Sequence, residues 1–312
     1  MRISSRSAVD PFIVMDVMEA AAKAEAAGRD IIHMEVGQPG TGAPRAALAQ
    51  VQSEMQAGAL GYTVALGLPK LRQRIAQLYG AWYGVDLDPA RVVITPGSSG
   101  GFILAFTALF DTGDRIGIGA PGYPSYRQIL KALALSPVDI QTQAENRFQP
   151  VAAELAGHDL SGLMVASPAN PTGTMLDKAA MARLIDACAA QNISFISDEI
   201  YHGIEYEKKA VTALSITDDC YVINSFSKYF SMTGWRVGWL VVPEDHVRVV
   251  ERIAQNMFIC APHASQIAAL SAMEAGGDEL AANMEVYRAN RALMLSGLAD
   301  AGFTNFAPPD GA

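Results

Sequence analysis

The sequence predicts an α/β fold: a mainly parallel seven-stranded sheet with helices on both faces. Three observations carry that expectation. Seven short apolar runs lie between residues 91 and 242. Helical patterns separate most of them, notably 126–135 and 178–191, and strands that alternate with helices pair in parallel. The runs are apolar on both sides of the chain, as strands covered on both faces must be.

The elements follow in order. Residues 12–27 read as an amphipathic helix, with Phe12, Met15, Val17 and Met18 near helical spacing and Gly28 as a stop. Residues 31–39 read as a short strand ending in a turn at Gly37. Tyr62 lies in a glycine-bounded loop before a helix over 71–82. The seven strands are then expected at 91–95, 116–119, 138–141, 163–167, 193–197, 221–225 and 237–242. Between the first two, Pro96-Gly97-Ser98-Ser99-Gly100-Gly101 opens a helix over 102–110. A glycine-serine turn at a helix N-terminus presents free N–H groups and a positive dipole end, so Gly97, Ser98 and Ser99 suit an anion. Tyr123, between Pro121 and Pro124, and Asn170, before Pro171, stand in rigid turns beyond strand ends. Asp198 follows Ile193, Phe195 and Ile196, where an unpaired charge would be costly, so it needs a cationic partner. From Pro243 the chain is mostly helical (244–257, 264–275, 280–301).

Length and composition narrow the functional field. The 312 residues, half of them apolar, suffice for one large domain or two, and a mean hydropathy of +0.17 is ordinary for a globular protein. The net charge of −9 comes with no basic run, which argues against nucleic acid as a main partner. Cys188, Cys220 and Cys260 lie far apart and read as reduced thiols of a cytoplasmic protein. The five histidines form no ligand-spaced pair, so no metal is expected. Asp10, Asp16 and Glu19 interrupt the N-terminus before an apolar stretch develops, so no signal peptide is expected. No run approaches the roughly 18 apolar residues of a membrane span.

The most informative stretch is 225–239, which puts Ser225, Ser227, Lys228 and Arg236 just after an apolar strand. That is a set of groups for a phosphorylated aldehyde. A lysine forms a Schiff base only as the free amine, so apolar neighbours such as Phe226, Tyr229 and Phe230, and the charge of Arg236, would activate it. The guanidinium grips phosphate through two oxygens, and the serines add hydroxyl donors.

Ser-x-Ser-Lys with Arg eight residues on resembles the lysine signature of fold-type I aminotransferases dependent on pyridoxal 5'-phosphate (PLP), the class I/II family. Four further segments are similar to that family in the same order: Tyr62-Thr63 with 67–72, 121–124, 170–173 and 198–201. The resemblance implies that Lys228 carries the cofactor and moves the α-proton, while Asp198 pairs with the pyridine nitrogen. It also implies that Tyr123 stacks on the ring and that Asn170 and Tyr201 hold its phenolic oxygen. Gly97, Ser98, Ser99, Ser225, Ser227 and Arg236 would take the phosphate, and Gly37 and Asn170 would meet the substrate. Tyr62 would reach the phosphate of a neighbouring subunit, which implies a homodimer with shared active sites. The implied activity is a ping-pong transfer of an amino group between an L-amino acid and a 2-oxo acid. Carbon–sulfur lyases and decarboxylases use the same residues and are the alternative. The implied division is residues 41–275 as a large PLP-binding domain, 1–40 with a small domain, and 276–312 as the start of that small α+β domain.

The family pattern continues beyond the last residues: 306–312 resemble the beginning of a small-domain strand. The arginine that pairs with the substrate α-carboxylate in the family does not follow within the 312 residues, and a shortened chain is expected. Two rival patterns also occur. Gly97-Ser98-Ser99-Gly100-Gly101 fits Gly-x-Ser-x-Gly, with Ser99 as a hydrolase nucleophile and Asp198 and His202, His246 or His263 following in the right order, but no His-Gly-Gly segment precedes it. Gly117–Gly122 fits Gly-x-Gly-x-x-Gly with Asp139 downstream, but Pro121 and Pro124 disfavour the helix start a dinucleotide site needs.

Overall fold

The computed structural model describes residues 1–58, 60–303 and 305–312. Its centre is a seven-stranded sheet: β1 (Val92–Thr95), β2 (Arg115–Ala120), β3 (Ser136–Gln141), β4 (Gly162–Ala166), β5 (Ser194–Asp198), β6 (Tyr221–Ser225) and β7 (Gly238–Val241). The spatial order is β1-β7-β6-β5-β4-β2-β3. Pairing is parallel from β3 through β6, and β7 runs antiparallel to both its neighbours. Every strand but β7 therefore ends at the same edge of the sheet, and β7 begins there.

Successive residues point to opposite faces, so each face acquires its own core. Val222, Trp239 and Val241 pack on one side with Leu71 and Ile75 of α3 (Pro69–Tyr83) and Leu184 of α6 (Lys178–Ala190). Ile223 and Leu240 pack on the other with Phe102 and Phe106 of α4 (Gly97–Leu109), Leu130 of α5 (Pro124–Ala132) and Val250 of α7 (Val247–Met257). Helix α8 (His263–Ala275) packs on α2 (Arg45–Ala57) and α3, and α9 (Gly277–Asp300) leads away with only Leu280 and Met284 buried. Helix α1 (Ile13–Ala26) buries none of its residues.

Four expectations change. Residues 31–39 form no strand: Ile32 and Met34 are exposed, and among the described residues no strand runs alongside to pair their backbone. Residues 306–312 form no strand either. Gly311 makes a single bridge with Glu205, while the N–H groups of Asp310 and Gly311 donate to Gly173 O at 2.8 and 3.0 Å. The 97–101 segment is not a turn ahead of α4 but its first five residues, and Gly101 is the reason it fits. A Cβ there would lie 3.2 Å from Ile223 Cγ2, so the glycine lets α4 approach β6 closely. Helix α2 has no counterpart among the sequence-derived elements, because its buried positions are only Ala47 and Val51.

Candidate functional site

Asp198 is the last residue of β5, paired between Ala166 and Ile223, and is 2% exposed. Its Oδ1 accepts from the Ile200 N–H at 3.1 Å, and its Oδ2 accepts from the Tyr126 hydroxyl. Burial pushes its pKa up from 3.8 to about 6, against the opposing effect of the two hydrogen bonds. Among the described residues no lysine or arginine forms an ion pair with it.

Lys228 follows β6. Its Nζ donates to Gly37 O at 2.7 Å and stands 5.6 Å from the centre of the Tyr201 ring. Burial lowers its pKa from the ordinary lysine value; Arg236 lowers it further, and Asp198 opposes both. Tyr201 accepts from Asn170 Nδ2 at 3.4 Å, and its own pKa is pushed up to about 12, mainly by burial, so the phenol stays protonated. Tyr123 caps α5 and meets Tyr126 edge-on, with centroids 5.2 Å apart. Gly37, Tyr123, Asn170, Tyr201 and Lys228 all line one cavity of about 950 Å³.

Beside this cavity lies a cradle of donors at the start of α4. Gly97 has a φ of +71°, and a Cβ there would come within 2.4 Å of Arg236 Nη2. A Cβ at Gly238, at the start of β7, would lie 3.1 Å from Ser98 N, so this strand too presses on the helix start. Arg236 is held by its Nη1 donating to Thr233 O at 2.9 Å. Ser98 is buried and Ser99 exposed. Ser225 and Ser227 are buried with their Oγ atoms 2.9 Å apart, and Ser225 Oγ also donates to Val237 O at 3.1 Å. These donors fit a phosphate: a helix N-terminus, a guanidinium and hydroxyls, with no carboxylate hydrogen-bonded to the guanidinium among the described residues.

Tyr62 stays apart from both the cavity and the donor cradle. It is 81% exposed on the loop before α3 and does not line the cavity. Gln266, fully buried, fixes that loop by accepting from Leu68 N at 2.7 Å and donating to Thr63 Oγ1 at 3.1 Å.

The rival patterns find no support in the geometry. Ser99 is the third residue of a helix, and the partners of His202, His246 and His263 are Tyr83 with Ser167, Tyr221, and Gly61. Gly117 and Gly119 lie inside β2, not in a phosphate-binding turn. Sequence reasoning missed Tyr126 as the partner of Asp198. Its signal was spacing: three residues after Tyr123 on α5, it shares that residue's helix face. His202 entered the sequence reading only as a candidate histidine of the hydrolase pattern, and nothing local in the sequence pointed to Ser167 as its partner.

Comparison with known proteins gives a consistent result. The family described as aminotransferase class I and II matches residues 29–312. A valine–pyruvate aminotransferase of Mycobacterium tuberculosis is 46% identical, the match covering 100% of this chain and 81% of the relative. A Silicibacter pomeroyi protein of known crystal structure is 74% identical, with a TM-score of 0.93 over 100% of this chain and 81% of that one. The aspartate aminotransferase of Thermus thermophilus, solved with maleate, is 26% identical at a TM-score of 0.94, covering 100% of this chain and 84% of that one.

Proposed function

Because this chain belongs to the class I and II aminotransferase family and is an amino-acid transaminase, we propose that it works with PLP held by Lys228, Asp198 and the α4 cradle. The carrying observation is a lysine amine that lines the cavity and is weakened as a base by burial, close enough to a buried carboxyl group without a lysine or arginine partner for the Asp198 charge to act on it. Gly97, Ser98, Ser99, Ser225, Ser227 and Arg236 would hold the phosphate. Tyr123 would face the ring, and Asn170 and Tyr201 would donate to its phenolic oxygen. Bound PLP supplies an aldehyde that condenses with amines and a ring that accepts the electron pair left when the α-proton departs.

This chain's residues do the rest. The Lys228 amine takes up the α-proton and returns it on the other side of the exchange, as general base and then acid. Asp198 holds a proton at the pyridine nitrogen; a cation there would reverse the effect of burial and keep the carboxylate charged. Gly37 borders the substrate through its backbone.

Phe12, Val14, Val36, Met294 and Leu298 are among the residues that line the cavity. These apolar residues suit an aliphatic side chain, and the M. tuberculosis relative's name supports valine as donor and pyruvate as acceptor. The exposed Tyr62 and neighbouring Val64 support a homodimer in which Tyr62 serves the other subunit's phosphate. Residues 41–275 would form the large domain; the scarcity of buried positions on α1 and α9 supports assigning 1–40 and 276–312 to a small one. The three free cysteines suit the cytoplasm.

The test begins with purified protein and PLP. Uptake should give a yellow protein, and borohydride should fix the cofactor on the peptide containing Lys228. Valine should then release 2-oxoisovalerate and leave pyridoxamine phosphate. A colourless protein sinks the cofactor assignment, and release of pyruvate and ammonia from cysteine, which carries the β-leaving group that valine lacks, would mean elimination instead of transfer.

A further inference from the structure

His202 sits immediately after Tyr201 and is 2% exposed, with its side chain wholly enclosed. Its Nε2 is 2.9 Å from Ser167 O, and because a carbonyl only accepts, Nε2 carries the proton. Its Nδ1 is 2.7 Å from the Tyr83 hydroxyl and 3.4 Å from Glu199 Oε2. Glu199 is also fully buried: its Oε1 accepts from Ala213 N at 2.9 Å and Ser197 Oγ at 3.1 Å, while Oε2 has no hydrogen-bond donor. Asp198 lies on the same strand end, and burial, with the charges of Glu199 and Glu205, pushes the Tyr83 phenol well above its ordinary value, so it stays a donor.

Ser167 is the base of the loop that carries Asn170: its N–H donates to Asp198 O at 3.2 Å and its Oγ accepts from Leu176 N at 3.0 Å. The 199–203 turn therefore holds three site segments at once. Asp198 anchors it to β5, and His202 ties it to the Asn170 loop. Gly203, with φ +94°, lets it close against Tyr229, the neighbour of Lys228; a Cβ at Gly203 would lie 2.6 Å from that ring.

We propose that His202 is a positioning residue: its Nε2–H bond to Ser167 O sets the spacing of Asn170 and Tyr201, and through them the electronic state of the bound cofactor. This rests on the PLP reading above. Asn170 and Tyr201 meet at 3.4 Å, a loose contact that a small shift in either loop would open. His202, Ser167, Tyr83 and Glu199 do not line the cavity, whereas Asn170 and Tyr201 do, so those two side chains are the direct route from His202 to the ring, beside the backbone bond from Ser167 N to Asp198 O.

The test uses isosteres on the holoenzyme. In His202→Gln the amide nitrogen replaces Nε2 and keeps the bond to Ser167 O; in His202→Asn the amide reaches only the Nδ1 position and loses it. Read-outs are the PLP dissociation constant, the pH midpoint of the visible band and the melting temperature. His202→Asn should weaken PLP about tenfold, the loss of one buried hydrogen bond, and move the midpoint. His202→Gln should restore both to wild-type values. Unchanged midpoint and affinity in the Asn variant, a fall in melting temperature alone, or a Gln variant as impaired as Asn would each overturn the proposal. If the Asn variant does not fold, His202→Met, which fills the space without a donor, takes its place: a displaced midpoint there with a wild-type midpoint in Gln upholds the proposal, and a wild-type midpoint in Met overturns it. Failure of the wild-type protein to take up PLP would instead strike the cofactor reading, and that is measured first.

Discussion

Arg236 and Gly97 are matched to one another. The guanidinium occupies the space that a side chain at position 97 would need, with Nη2 2.4 Å from where its Cβ would be. A charge fixed against the first N–H groups of a helix is worth more than either alone, because both act on the same anion from short range.

Gly97→Ala should consequently displace the guanidinium and strain the backbone at φ +71°. We expect a stability loss of about 1–3 kcal/mol from the left-handed backbone, and a larger proportional loss of PLP affinity. Urea unfolding and cofactor titration measure the two separately. Tight PLP binding in the alanine variant would remove the α4 start from the phosphate site.

Lys228→Ala should abolish transamination while PLP still binds through its phosphate, and borohydride should no longer fix it to the protein. Among the described residues the amine's polar contact is Gly37 O, with the Tyr201 ring 5.6 Å away, and neither can replace it as a base. Single-turnover assays with valine, followed by mass spectrometry of the reduced protein, give the answer. Turnover near the wild-type rate would end the assignment.

Asp198 makes stability depend on pH. Its folded value of about 6 lies above the unfolded 3.8, so the folded protein holds this proton more tightly. The contribution to stability is full below 3.8 and is lost as pH rises through about 6. At about 1.4 kcal/mol per unit, the ligand-free wild type should lose roughly 2–3 kcal/mol between pH 4 and pH 7.5 relative to Asp198→Asn. Denaturation curves of both proteins across that range are the check; parallel pH profiles would refute it. Asp198→Asn should also show a large fall in transamination rate, since an amide cannot hold the ring proton.

Tyr62→Phe should weaken PLP about tenfold without altering the fold, because the side chain is 81% exposed and the hydroxyl would be lost only from a partner's phosphate site. Sedimentation should find the wild type dimeric. Unchanged affinity would detach Tyr62 from the site.

Much of the site was legible because its residues follow strand ends. Thr95, Ala120, Ala166, Asp198 and Ser225 end parallel strands, and the residues just beyond them, Gly97, Tyr123, Asn170, Tyr201 and Lys228, are brought to one edge by the topology. Apolar runs locate strands, and parallel order then sends their C-terminal ends the same way. Residues 31–39 misled the pattern reading because they have strand-like composition without a neighbour, and 306–312, read as a strand from the family resemblance, make only the single bridge from Gly311 to Glu205. A strand is a property of two segments, and periodicity reports on one.

What the sequence by itself determined was the seven strands of the sheet, the family and the chemical types of the candidate groups, since these are written locally in spacing and motif. Only the tertiary structure decided how those groups behave. The weakened base strength of Lys228, the value near 6 at Asp198, the Tyr126 hydroxyl that reaches it and the tie from His202 to Ser167 all depend on burial and on contacts between distant residues. Burial removes water, and with water gone a partner contributed by another element sets the charge state.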